Sequence, residues 1–542
     1  MKLTGAQAII KSLQIENVDV MFGYPGAAIC PFYDALVDSD IRHVLTRNEQ
    51  GAAHAASGYA RVTGKVGVCV ATSGPGATNL ITGIATAYMD SIPMVAITGQ
   101  VSSELIGRDV FQEADITGAT APFCKHNYLV KNAKDIPRII KEAFHIASTG
   151  RPGPVVVDIP IDIQNKEINF EYPETVDIKG YKPTYKGHSM QIKKIAGAIE
   201  KAKAPVICAG GGVINANATQ ELLTLVEKCQ IPLTTTLMGI GSIPSRHGMN
   251  LGMIGSHGVY AANYALYNAD LLIIMGARVA DRAIGTASKI AEKAKIVHID
   301  IDPAEIGKNI GASIPVVGDV KLILRELAEN VGNSNTVKWV ETIKKIKNEH
   351  PLKYTDGGDY EFVKPQYVIF ELSDMLKEDD IVTTEVGQNQ IWTANYLNVR
   401  KPRTFITSGG MGTMGYGLPS GIGVKIGKAE SRVVVIGGDG SFQMSLQELG
   451  TIKQNKLGVK IIIFNNSRLG MVREIQKTRY CGRYSQVFLE ENPDFVKLVE
   501  AYGFRGERIR KNSEVKAALG RMLEEDEPYL LECIIDPDEP TL

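Results

Sequence analysis

Asp439 and Asn466 carry the strongest chemical signal in the chain. They close two short apolar runs in a segment that reads RVVVIGGDGSF, then a helical stretch over Ser445–Lys456, then VKIIIFNNSRLGM. A carboxylate, a carboxamide and nearby backbone carbonyls form a hard-oxygen set suited to Mg²⁺ bridging phosphate oxygens. Gly438 and Gly440 let the backbone approach a ligand closely, and Ser441 opens a helix whose amides favour an anion. Val433–Ile436 and Val459–Phe464 read as buried strands, and a right-handed crossover makes them parallel and adjacent. Both polar residues then leave carboxyl ends of strands, where open α/β sheets bind their ligands. A lone GDG is only a glycine turn. GDGSF followed by a strand that ends in NN resembles the thiamine diphosphate signature.

That cofactor needs a second element, a carboxyl group against its aminopyrimidine ring, in a dry site that raises the acid's pKa. His43–Thr46 reads as a strand, followed by RNE and a small-residue helix, QGAAHAASGYARVTG. Glu49 stands at that strand-to-helix turn. Taken alone it reads as an acid favoured by a helix N-terminus. Its neighbours FGYPGAA, ATSGPGATN and SIPMVAITGQ point to the catalytic reading instead.

These residues need strand ends to hold them, and the pattern supplies them. Val66–Thr72, Pro205–Ala209 and Val433–Ile436 are β-branched runs, each ending at a glycine turn and followed by helical periodicity. Such alternation predicts an α/β protein built of doubly wound parallel sheets. Two stretches break the rhythm, 166–190 and 331–365, the second flanking one charged helix, and both read as linkers. The chain of 542 residues then divides into blocks 1–165, 190–332 and 362–542, near the usual ~150 residues per domain.

Composition narrows the class. A net charge of -1 leaves no electrostatic footprint for nucleic acid or an anionic membrane. No apolar run approaches the ~20 residues of a membrane span, and MKLTGAQAIIKSL reads as a capped amphipathic helix, not a signal peptide. The seven cysteines include no C-x-x-C pair and several sit in apolar runs, which predicts buried thiols and a cytoplasmic protein.

GYPGAA, RNEQGAAHAASGYAR, ATSGPGATNLITG, DVFQEAD, RPGPVVVDIP, GQNQIW, GGMGTMGYGLPS, GDGSFQMSLQELGT and NNSRLGMVRE together resemble the catalytic subunit of acetolactate synthase, from residue 3 to about 535. The resemblance implies three domains of the thiamine diphosphate-dependent enzyme type: pyrimidine-binding, central and diphosphate-binding. It implies Glu49 as the aminopyrimidine partner, and Asp439, Asn466 and the Arg468 carbonyl as Mg²⁺ ligands. Val386, Gly387, Gln388 and Asn389 would touch the diphosphate, where many relatives have histidine in place of Asn389. Gly412, Met414 and Gly470 would hold the cofactor. Gly26, Phe111, Gln112 and Met471 would line the substrate side. The substrates would be 2-oxo acids. The assembly would be a homodimer or dimer of dimers with shared active sites, Glu49 of one subunit facing Asp439 of the other, and a regulatory small subunit stays open as a further partner.

The middle block resembles a flavin-binding domain, which implies FAD. Its contacts would come from Arg151, the turn Gly210, Gly211 and Gly212, and the run Thr236, Leu237, Met238 and Gly239. Ile254, Gly255, Ser256 and His257 would follow, then Gly276, Arg278, Asp281 and Arg282. Asp300, Ile301, Asp319 and Val320 would complete the set. The family's R-F-D-D-R is RVADR here, and a flavin-free synthase, or another thiamine diphosphate lyase or ligase, is the alternative. A non-catalytic scaffold would have lost Glu49, Asp439 or Asn466, and all three are present. Simple decarboxylases of this class use adjacent histidines, which this chain lacks, and this favours carboligation. Family members usually carry tryptophan where this chain has Ile475, and that residue would pack on the second substrate. The exchange predicts a weaker preference for 2-oxobutyrate over pyruvate.

Overall fold

The computed structural model describes the chain except residues 286–289, 291, 333, 354–356 and 359. Parts of the 331–365 stretch therefore lie outside the described residues. The rest holds three six-stranded sheets, each wholly parallel.

The first sheet runs Arg42–Leu45, Val20–Gly23, Gly67–Ala71, Met94–Gln100, Pro154–Pro160, His126–Leu129. The third runs Phe405–Ile406, Ile381–Thr384, Val433–Gly438, Val459–Asn465, Tyr529–Ile534, Arg505–Ile509. Numbered in chain order, both are 2-1-3-4-6-5, a shared topology that the sequence reading did not reveal. The central sheet runs Asn250–Met253, Leu233–Thr235, Pro205–Ala209, Leu271–Met275, Lys295–Asp300, Ile314–Val317. Its order is 3-2-1-4-5-6, that of dinucleotide-binding sheets.

Parallel strands must be covered on both faces, so they carry apolar residues on both. Alternation along one strand shows this. Ile207 and Ala209 enter one core, while Val206 and Cys208 enter the core on the other face. Val68 and Val70 likewise oppose Cys69 and Ala71. Five of the seven free thiols are buried.

The Gly5–Ile15 helix opens with a capping box, in which Thr4 Oγ1 accepts from Gln7 N (3.2 Å) and Gln7 Oε1 accepts from Thr4 N (3.0 Å). Two readings change. The 166–190 stretch is not all linker, because Glu167–Asn169 pairs antiparallel with Lys2–Thr4. The Ser445–Lys456 region splits into a 3₁₀ turn, Leu446–Glu448, and a helix, Leu449–Asn455.

The first and third blocks meet through the helices Glu49–Thr63 and Gly417–Gly427. They cross nearly backbone to backbone: a Cβ at Gly58 would fall on Ser420 O, and one at Gly423 on Ala55 O. Arg61 pairs with Asp90 at 2.5 Å, and Asp90 also accepts from Gly410 N at 2.7 Å.

Candidate active site

In the third sheet the strand order reverses between Ile381–Thr384 and Val433–Gly438, and the chain leaves both at their carboxyl ends. The crevice there is a cavity of about 90 Å³. One wall is Val386–Asn389, entering the Gln388–Tyr396 helix. The other is Gly438–Ser441. Asn466, Arg468, Gly470 and Met471 close it, with Met414 above. Gly412 is outside the lining but adjoins it through Val386.

The strands that end at Asp439 and Asn466 are adjacent and parallel, in the register Gly438↔Phe464. Burial pushes the Asp439 carboxyl up to about 6, against hydrogen bonds from Asn492 and backbone amides. Asn492 Nδ2 donates to Asp439 Oδ2 at 2.6 Å. Asn466 Oδ1 accepts from Arg468 N at 3.1 Å, and its Nδ2 donates to Gln388 Oε1 at 3.2 Å. Asn389 Oδ1 is buried and has no protein partner. A burial this complete without a partner is costly, so the cavity suits a ligand bearing donors or a hydrated cation. Hard oxygens from Asp439 and Asn466 meet the Mg²⁺ part of that requirement.

Glu49 is the first residue of the Glu49–Thr63 helix, which Asn48 caps. It is 9% exposed, and its Oε2 accepts from Asn79 Nδ2 at 2.9 Å. A Cβ at Gly76 would come 3.3 Å from Glu49 Oε1, so the SGPG turn packs onto the carboxylate. Gly26 abuts Thr72 of the same turn, and Gln112 lies against Gly74. Phe111 is 86% exposed. These residues sit at the reversal of the first sheet, between Val20–Gly23 and Gly67–Ala71. Among the described residues no hydrogen bond or ion pair joins Glu49 to the residues that line the Asp439 cavity. Ile475 is half-buried on the Gly470–Arg479 helix and outside the cavity, whereas Val472 lines it.

A larger cavity, about 340 Å³, opens at the reversal of the central sheet. It is lined by Gly211, Gly212, Gly276 and Arg278 from the first turns, by Thr236–Met238, Ile254, His257 and Arg282, and by Asp300, Ile301, Asp319 and Val320. Arg151, Met89 and Asp90 reach it from the first block, and Ile391, Gly409 and Gly410 from the third. A Cβ at Gly212 would lie 2.7 Å from Gly276 Cα, so bare backbone turns make the floor. Burial pushes Asp300 up to about 6.

Five residues expected at this cavity are outside its lining. Gly210 and Gly239 pack turn against strand backbone, where a Cβ would meet Gly276 O and Ala209 O. Gly255, at φ +105°, packs on Arg282 O, and Ser256 N donates to the same carbonyl at 3.1 Å. The Asp281 side chain is 88% exposed. Sequence reasoning missed Asn492, because no pattern near it names a ligand, and also Asp90 and Gly410, which only interdomain packing brings to the central cavity.

Comparison with known proteins defines the class first. The families described as "Thiamine pyrophosphate enzyme" match in all three parts: the N-terminal TPP binding domain over 3–119, the central domain over 192–327, and the C-terminal TPP binding domain over 385–533. Full-length relatives then narrow it. A probable acetolactate synthase large subunit of Methanocaldococcus jannaschii is 50% identical, covering 99% of this chain and 93% of the relative. Acetolactate synthase large subunits of Corynebacterium glutamicum and Buchnera aphidicola are 48% and 46% identical over 99% of this chain, and over 87% and 95% of theirs. The chain belongs to the acetolactate synthase large-subunit family.

Proposed function

We propose that this chain decarboxylates pyruvate and joins the resulting two-carbon unit to a second pyruvate or to 2-oxobutyrate, as an acetolactate synthase of branched-chain amino-acid biosynthesis. The observation that carries this reading is the Asp439 cavity at the reversal of the third sheet, with hard oxygens converging from two adjacent strands. When bound, thiamine diphosphate supplies the nucleophilic carbon and the electron sink for decarboxylation. Asp439, Asn466 and the Arg468 carbonyl would hold Mg²⁺, which would supply positive charge for the diphosphate, and Gly387–Asn389 form the facing wall. Glu49, buried and hydrogen-bonded by Asn79, would face the aminopyrimidine ring and exchange a proton with it.

Two half-sites on one chain support a homodimer in which Glu49 faces the partner's cavity, alone or as a dimer of dimers. Exposed apolar side chains flank them: Phe111 beside one, Val472 (46%) and Met444 (55%) in the third block. Such patches mark interaction surfaces. The relatives' naming as large subunits supports a regulatory small subunit as a second partner. No helix among the described residues is long and apolar enough to cross a membrane. The buried free thiols support a cytoplasmic enzyme.

The strand order, the glycine floor and Arg278 of the central cavity support FAD as its ligand. The decisive experiment incubates the purified chain with pyruvate, thiamine diphosphate and Mg²⁺. Acetolactate is the expected product; acetaldehyde alone, or none, overturns the reading. Purified protein should also show a flavin absorbance band with no net redox change in turnover. A colourless, fully active preparation would assign it to the flavin-free synthases.

A further inference from the structure

We propose that Glu448 is a positioning residue for Glu49: a buried carboxylate of the third block that holds the main-chain turn from which Glu49 projects. The proposal rests on the catalytic assignment of Glu49 made above.

Glu448 has no exposed surface (0%). Its Oε1 accepts from Arg47 N at 3.0 Å and Asn48 N at 3.1 Å. Its Oε2 accepts from Arg47 N at 3.2 Å and from Thr451 Oγ1 at 2.6 Å. Arg47 and Asn48 are the two residues before Glu49, so the turn that aims the acid is fastened by a side chain 400 residues away. Arg47 strengthens the same junction, its Nη2 donating to Gly450 O at 3.2 Å and to Gln454 Oε1 at 2.8 Å.

Gly51 is the independent observation. A Cβ there would fall on Glu448 Oε1, so the first helical turn is in direct contact with the carboxylate. Glycine is a poor helix former, and this contact gives a physical reason for its place here. Burying a carboxylate is costly unless it is fully hydrogen-bonded, and burial pushes the Glu448 pKa up. An apolar side chain would fill the same space without that cost. Arg47 N, Asn48 N and Thr451 Oγ1 all donate to Glu448, and its two oxygens accept them; glutamine would keep one oxygen and turn an NH₂ toward the remaining donors. Glu49 itself has one side-chain hydrogen bond, to Asn79, so its aim depends on the backbone that Glu448 holds.

The test uses the full chain loaded with thiamine diphosphate and Mg²⁺, comparing Glu448→Gln and Glu448→Ala with Glu49→Gln. Both Glu448 variants should lower kcat and slow deuterium exchange at the acidic carbon of the bound cofactor by about 10–100-fold, the scale of sub-ångström misplacement. KM for pyruvate and titrated cofactor affinity should stay within about twofold, because Glu448 lies outside the cavity lining. Backbone amides of residues 46–52 should exchange about tenfold faster with solvent. If Glu448→Ala does not fold, the near-isosteric Glu448→Gln carries the test alone. Wild-type exchange at the cofactor and at these amides, with Glu49→Gln dead, would overturn the proposal and leave Glu49 in place. Equal losses of kcat and cofactor affinity would also overturn it. Normal cofactor exchange in Glu49→Gln would instead remove the reading on which it rests.

Discussion

Glu49 and Asp439 are both carboxylates at strand-to-helix turns, yet their surroundings differ, as do the roles proposed for them. Glu49, proposed to exchange a proton, faces a glycine turn and one carboxamide. Asp439, proposed as a metal ligand, meets Asn492 and backbone amides beside a second hard oxygen at Asn466. Their substitutions should therefore fail differently. Glu49→Gln should leave cofactor and metal affinity intact and cut turnover by at least ~100-fold, the range of acid–base contributions. Asp439→Ala should lose activation by Mg²⁺ and weaken thiamine diphosphate binding in a calorimetric titration. Unchanged affinity in that variant would displace Asp439 from the metal site.

At the scale of single elements, two predictions concern a strand and a helix. Asp158 lies inside the Pro154–Pro160 strand, accepting from Thr98 Oγ1 (2.7 Å) and Gln100 Nε2 (3.0 Å). Burial pushes its carboxyl up to about 7, above the unfolded value near ~3.9. The folded chain then binds more protons than the unfolded one between those limits, so stability falls as pH rises from about 4 to 7. Asp158→Asn should flatten that slope, which amounts to a few kcal/mol at most at about 1.4 kcal/mol per unit. Urea unfolding at several pH values reads it, and an unchanged slope would assign the pH dependence elsewhere. On the Gly470–Arg479 helix, Ile475 follows Met471 and Val472 at i+4 and i+3, on the face that leads out of the cavity. Tryptophan there would extend the apolar wall by much of its ~150–250 Å². Ile475→Trp should shift competition products toward the 2-oxobutyrate adduct by about 1 kcal/mol, or ~5-fold. A ratio that stays put means the side chain does not reach the second substrate.

The whole molecule depends on how closely its first and third blocks approach. Gly58 and Gly423 let the Glu49–Thr63 and Gly417–Gly427 helices cross with carbonyls where side chains would otherwise be. A methyl group at Gly423 cannot be absorbed by a rotamer change, because Ala55 O is backbone. Gly423→Ala should cost about 2 kcal/mol by overpacking, read as a lower midpoint in urea unfolding. Wild-type stability would mean that the helices slide apart at little cost. The same interface carries Glu448 to the Arg47–Asn48 turn and Gly410 to Asp90, so its loosening should reach both cavities.

Strand ends, glycine turns and polar residues that leave them were legible from the sequence, because each is a local pattern set by backbone sterics and side-chain period. GDGSF and NN could thus be placed on adjacent strands, and Glu49 on a turn, from the sequence alone. Strand order was not legible: neither the common 2-1-3-4-6-5 topology of the outer sheets nor the 3-2-1-4-5-6 order of the central one is written in local periodicity. Nor could spacing show that Gly211, Gly212 and Gly276 line the central cavity while Gly210, Gly239 and Gly255 pack outside it. Asn492, Asp90 and Glu448 became visible only when segments hundreds of residues apart were brought together. Contacts of that kind are chosen by the packing of whole sheets and helices, and a pattern read along the chain carries no term for them.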